Sequence, residues 1–473
     1  MNYQAQIETY FSHMEPLLLE GVSRLVSVRS VRGDPAPGAP FGPGPAEALN
    51  QALKLAGEWG LLNPTSHEGY VGTADLNNCQ TALHILGHLD VVAEGEGWTV
   101  TDPYSPKVLD GCIYGRGTDD DKGPVVASML AMKCVKDLAI PLNKNVRLIM
   151  GTDEESGSAD IAYYYAHNPY APNTFSPDSG FPVVNIEKGG YHPTFQKSWP
   201  ACDALPRLAW LHGGLRINIL PADASCALEG LSEAQILPAA ETVSAQTGVS
   251  FSLRSENGLT VIAAKGTASH AAFPQSGNNA ITGLLTLLDQ LPLAPGGAKD
   301  AIHALTALFP HGDSAGKALG IAQQDDLSHD LTVAFSLLEM DETGLKGQFD
   351  ARVPICATKA NCADIAQIAF EQYGFSLSGE MGPAHHTPAD SNFVRTLLSC
   401  YENYTGLKGE CLAIGGGTYV HAIPGGVAFG CSFPGFNTFL HGPNERARIS
   451  DLLTSAKIFA QVITELCGSE RSI

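Results

Sequence analysis

Apolar positions along the chain change their spacing several times, and each change marks an element. Residues 81–86, 145–150 and 181–186 are short, nearly continuous apolar runs, the pattern of strands buried on both faces. Residues 46–60 and 123–138 read instead as helices, as do 391–404. Residues 1–27 place Ile7, Phe11, Leu17, Leu18 and Val22 at intervals that predict one amphipathic helix. A strand follows at 427–432, and a last helix over 446–467 stripes Ile449, Leu452, Leu453, Ala456, Phe459, Ile463 and Leu466 along one face. Strand, helix, strand with continuous apolar strands predicts an α/β fold, a mixed sheet flanked by helices.

Between about 190 and 383 the texture differs. Strand-like pieces at 215–220, 259–264, 331–338 and 345–353 alternate with helices near 278–291 and 363–372. This predicts an inserted α+β domain with two strand–helix sets, dividing the chain into 1–189, 190–383 and 384–473. A Pro/Gly loop at 35–45 separates the first two helices.

Charge narrows the partners. The chain has 28 Lys+Arg against 49 Asp+Glu, a formal net charge of −21. Phosphate binding needs a basic face, so nucleic acid is excluded as a partner. The first 27 residues lack a basic leader before an apolar core, and no apolar run is long enough to span a bilayer. The 11 cysteines are odd in number and form no Cys-x-x-Cys pair, so neither a disulfide framework nor a thiolate zinc site is indicated. A reducing cytoplasm is the compartment expected.

Two stretches carry the chemistry. His88 and Asp90 follow the first strand two residues apart, a spacing that puts both on one side. Asp90 can then orient His88 while the other imidazole nitrogen binds a metal. Glu154 and Glu155 follow the second strand and aim differently, so one can bind metal while the other handles a proton. In active sheets of this type ligands collect beyond the carboxyl ends of the strands, where all four residues sit. Asp119, Asp120 and Asp121 form an acidic loop entering a helix, Asp178 is the lone charge of a turn, and His441 precedes the last helix. Each alone reads as a cap or turn residue. Together they supply two His and three carboxylates, the count that two zinc ions about 3.5–4 Å apart require.

These motifs, namely His88-x-Asp90, Gly115-x-Gly117-x-x-Asp120-x-Lys122-Gly123, Asp153-Glu154-Glu155, Asp178 and His441-x-x-Asn444-Glu445, resemble the co-catalytic dizinc amidohydrolases and peptidases over nearly the whole chain. That family includes carboxypeptidase G, acetylornithine deacetylase and succinyl-diaminopimelate desuccinylase. Residues 41–45, 116–124 and 415–419 resemble most the bacterial dipeptidase V branch. The resemblance implies a catalytic domain at 1–189 and 384–473 with a doubled lid at 190–383. It implies that Asp120 bridges two zinc ions, with His88 and Asp178 on one and Glu155 and His441 on the other. It makes Glu154 the general base toward a metal-bridging water and has Asp90 orient His88. From the lid, His270 would stabilise the oxyanion, Asn218 would hold substrate and Arg352 would pair with a substrate carboxylate, with Gly416, Gly417 and Thr418 close by. Carboxylate-rich sites of this kind also accept manganese or cobalt.

The activity implied is hydrolysis of unblocked dipeptides, including Xaa-His or β-alanyl dipeptides. An N-acyl amino acid deacylase or desuccinylase would use the same metals and base, and a catalytically silent metal-binding protein is the reading from another class. A doubled lid would let a monomer mimic a dimeric relative; a dimer is the alternative. His421 and Thr438 depart from the branch, which often has Arg and an acid there.

Overall fold

The structure, a computed structural model, describes residues 3–468. The chain divides into two compact units. Among the described residues, the first takes 3–186, 386–412 and 417–468; the second takes 187–385 and 413–416.

In the first unit one sheet runs, in order, through Leu62–His67, Val71–Asp75, Asn145–Gly151, Thr81–His88, Asn173–Ser176, Val427–Ala428 and Val183–Glu187. The four from Asn145–Gly151 to Val427–Ala428 are parallel, and those outside them pair antiparallel. This is the mixed α/β sheet the apolar runs predict. On one face Leu83, Ile85, Val146 and Leu148 share a core with the helices Lys122–Asp137 and Ile449–Cys467. On the other, Leu86 and Ile149 meet Ile161, Tyr164 and Tyr419. Side chains alternate along a strand, so His88 leaves the sheet on the Leu86 side, at the strand's carboxyl end.

Some elements differ from expectation. Residues 1 and 2 lie outside the described residues, and the rest of the segment to 27 is two helices, Gln4–Phe11 and Glu15–Val26. Pro16 explains the break, because proline fits the first turn of a helix and not its interior. The strand at 427–432 is two short pieces, Val427–Ala428 and Cys431–Ser432, parted by Gly430 at φ 85°. The last helix begins at Ile449, because Arg446–Arg448 pairs as a strand with Cys112–Tyr114.

In the second unit an antiparallel sheet runs through Ser250–Glu256, Leu259–Lys265, Asp223–Glu229, Arg207–Gly213, Thr332–Asp341, Gly344–Val353, Thr194–Ser198 and Ser376–Ser378, with Gly189–Tyr191 also paired to Gly344–Val353. The two strand–helix sets join into one sheet where Arg207–Gly213 pairs with Thr332–Asp341. Leu284, Leu288, Ile302, Leu305, Phe349 and Phe370 fill its core. The strand expected at 215–220 is mostly loop. Gly214 at φ 83° turns the chain, Leu215 is 95% exposed, and only Ile219–Leu220 pairs, with Ser269–His270. The helix Glu233–Thr247 escaped the sequence pattern because only Ile236, Ala240 and Val243 are buried, too thin a stripe to stand out. Among the described residues no helix is long and apolar enough to cross a membrane.

Gly151, at the end of its strand, has no room for a side chain, since a Cβ there would overlap Tyr419 Oη and Asp160 Oδ2. Gly151→Ala should lower stability by about 1–3 kcal/mol in urea denaturation; an unchanged midpoint would contradict this packing.

Candidate metal centre and active site

His88 is fully buried, with Nε2 2.8 Å from Asp120 Oδ1 and 3.7 Å from Asp178 Oδ2. The other oxygen of Asp120 lies 2.8 Å from His441 Nε2, which is in turn 3.1 Å from Glu155 Oε1. Two donor groups result: His88, Asp120 and Asp178, and Asp120, Glu155 and His441. Within each, the ligand-type atoms lie within 4.8 Å of one another. Asp120 belongs to both groups, one oxygen to each.

The charges are crowded. Burial works to raise the Asp120 carboxyl, but hydrogen bonds with His441 and His88 overcome it and hold it below the usual range. Burial works to lower the two imidazoles, and the carboxylates overcome that too. Asp120 and Asp90 hold His88 well above its ordinary value, and Asp120 and Glu155 hold His441 at about 11. Glu154, Glu155 and Asp178 are all pushed up, first by burial. The charge of Asp178 then acts on Glu154, and that of Asp120 on the other two. Four carboxylates and two imidazoles therefore crowd together out of water. A pair of divalent cations sharing Asp120 fits the donor set of His88, Asp120, Asp178, Glu155 and His441.

The second unit gathers another set. Ile219 pairs with His270 across a two-stranded ladder, and Ala271 N–H donates to the Asn218 carbonyl at 2.9 Å. Ala272 N–H donates to His270 Nδ1 at 3.2 Å, which places the proton of a neutral ring on Nε2. Arg352 Nη1 donates to the Gly415 carbonyl at 3.0 Å. Gly415 is the tight glycine of its run, since a Cβ there would come within 2.7 Å of Ala272 Cβ, whereas one at Gly416 would meet nothing within 4 Å. Asn218, His270, Arg352 and Gly416 thus belong to the second unit, and Gly417 and Thr418 to the first. Thr418 starts the short helix Tyr419–Ala422, its Oγ1 accepting from Val420 N–H.

The pattern of peptidase family M20/M25/M40 matches residues 84–465. The chain belongs to that family. It is 35% identical over 457 residues to YtjP of Bacillus subtilis (strain 168), covering 95% of this chain and 97% of that protein. It is 31% identical over 446 residues to the beta-Ala-Xaa dipeptidase of Lactobacillus delbrueckii subsp. lactis, covering 91% of each. The crystal structure of human carnosine dipeptidase 1 shares the fold, with a TM-score of 0.59 and 15% identity over 98% of this chain and 99% of that one. Metal dependence and hydrolase chemistry come with the M20 family.

Buried carboxylates hold the backbone of this M20 peptidase around the centre. His88 Nδ1 lies 3.0 Å from the Asp90 carbonyl oxygen and 3.5 Å from its Oδ1. The carboxylate of Asp90, expected as the partner of His88, lies beside that ring and also holds the next turn: its two oxygens accept the N–H groups of Glu154 and Glu155, each at 3.1 Å. Asp90 thereby ties the histidine to the glutamate pair. Asp160 Oδ2 accepts from Thr152 N–H at 2.6 Å, from Asp153 N–H at 2.9 Å and from the Tyr419 hydroxyl. Asp121 Oδ2 accepts His88 N–H at 3.0 Å.

Glu445 holds the acidic loop. Its Oε1 accepts from the N–H groups of Gly117, Asp119 and Asp120 at 2.9, 3.1 and 3.3 Å, and its Oε2 lies 2.5 Å from Arg116 Nη1. Burial pushes its carboxyl up to about 7 against the pull of Arg116. Sequence reasoning placed Glu445 and Arg116 in motifs but gave them no task, and missed Asp160. Glu445→Ala would strand a buried guanidinium and three N–H groups. Denaturation in chelator should show a loss of about 3–5 kcal/mol, and a loss within error would remove Glu445 as the loop's anchor.

Proposed function

We propose that this M20 peptidase is a dizinc dipeptidase acting on unblocked dipeptides, β-alanyl and Xaa-His dipeptides among them. The observation that carries the reading is the Asp120 carboxylate shared between two His–carboxylate groups, with Glu154 beside them. The dipeptide assignment draws on the full-length relative named beta-Ala-Xaa dipeptidase. His88, Asp120 and Asp178 would hold one zinc ion, and Asp120, Glu155 and His441 the other. Such a pair polarises a scissile carbonyl and acidifies water.

The chain's own residues do the rest. Glu154 takes the proton of the attacking water and passes it to the leaving amine. Asp90 fixes the turn that carries Glu154 by accepting its N–H. His270, with Nδ1 occupied by Ala272 N–H, offers Nε2–H to the tetrahedral oxyanion. Asn218, in the turn that precedes Ile219–Leu220 and accepts Ala271 N–H, holds the substrate from the lid. Arg352 pairs with the substrate carboxylate, while Gly416, Gly417 and Thr418 let backbone approach the same group.

The test is hydrolysis by zinc-loaded protein of Ala-His, β-Ala-His, a tripeptide and N-acetyl-His, each with a chelated control. The dipeptides should be cleaved and chelator should abolish it, with the tripeptide and N-acetyl-His spared. Glu154→Gln should lower kcat on Ala-His by about 10²–10⁴-fold with zinc content unchanged. Cleavage of N-acetyl-His with the dipeptides spared would move the chain to the N-acyl amino acid deacylases. Full turnover by Glu154→Gln would remove Glu154 as the base.

A further inference from the structure

Asp350, Ala351 and Arg352 lie on the strand Gly344–Val353, where residues two apart share a face. Phe349, Ala351 and Val353 turn into the core, which leaves Asp350 and Arg352 side by side on the other face. Asp350 is itself fully buried. Its Oδ1 accepts from Arg352 Nε at 2.7 Å and its Oδ2 from Arg352 Nη2 at 2.7 Å. On the opposite side, His192 Nε2 lies 3.3 Å from Asp350 Oδ2, and that imidazole is 41% exposed. Arg352 Nη1 is spent in part on the Gly415 carbonyl.

These bonds consume the Nε–Nη2 edge of the guanidinium and one donor of Nη1. What is left is one N–H on each terminal nitrogen, the end of the fork. We propose that Asp350 is a positioning residue of the substrate site: by gripping the Nε–Nη2 edge of Arg352, it presents the Nη1–Nη2 end to the free carboxylate of a dipeptide. The proposal rests on the reading of Arg352 as the carboxylate anchor. It has a consequence for recognition. The Asp350 charge offsets that of Arg352, so the pair selects a carboxylate by the direction of its donors rather than by net positive charge. His192 braces Asp350 from the solvent side.

A counterion alone and a positioning residue make opposite forecasts. Without Asp350 the site gains positive charge, which would strengthen a purely electrostatic attraction and weaken one that depends on a fixed fork. The experiment compares kcat/KM of the zinc-loaded full chain on Ala-His and on Ala-His amide, which lacks the carboxylate. Wild type should prefer the acid strongly. Asp350→Asn keeps the size but sets an NH2 group against an Arg352 donor. It should cut the acid-over-amide preference about tenfold or more, through a higher KM for the acid. His192→Ala, at a half-exposed side chain, should cut it less, and it gives the answer if Asp350→Asn does not fold. An unchanged or increased preference in the variants would overturn the positioning role while leaving Arg352 as the anchor. A wild type that cleaves acid and amide equally would overturn the reading of Arg352 itself, and the proposal with it.

Discussion

One carboxylate, that of Asp120, stands between two imidazoles whose own positions depend on distant parts of the chain. His88 ends a central strand, while His441 lies 321 residues beyond Asp120 in the sequence. Both rings direct Nε2 at Asp120, one at each oxygen. Bringing this many ionisable groups out of water is costly, and it persists only where the surrounding backbone is held firmly.

The chain meets that requirement with buried acids that accept backbone N–H groups. Glu445 gathers the loop carrying Asp120, Asp160 the strand end before Glu154, and Asp90 the N–H groups of Glu154 and Glu155. In each case a carboxylate is paired with donors that would otherwise be orphaned at an irregular turn. Part of the chain's acidity therefore serves to shape its own backbone. In the second unit Asp350 does the same for a side chain, holding Arg352.

The fold class was legible because the strands Thr81–His88 and Asn145–Gly151 are buried on both faces and read as unbroken apolar runs. The edge strands and thinly buried helices of the second unit were less so. Ser250–Glu256, with only partial burial on alternate residues, and Glu233–Thr247 carry too weak a period. Leu215 misled in the opposite direction, as an apolar residue in a loop that a glycine turn exposes. At the centre, His88 and Glu155 stood out because they follow strand ends, whereas Asp120, Asp178 and His441 stood out only as members of one set. Their supports did not, since Glu445 and Asp160 act across long sequence distances or through backbone atoms, which leave no side-chain pattern. Asp350 could have been read. It stands two residues before Arg352 on a strand, the same spacing that linked His88 with Asp90.

Asp120, as the ligand shared by both metal positions, is the residue on which the centre depends. The direct measurement is zinc stoichiometry by native mass spectrometry on the wild-type chain, Asp120→Ala and His441→Ala. Two ions on the wild type, one on His441→Ala and none on Asp120→Ala is the predicted result. Two ions retained by Asp120→Ala would contradict it and place the metals on other residues.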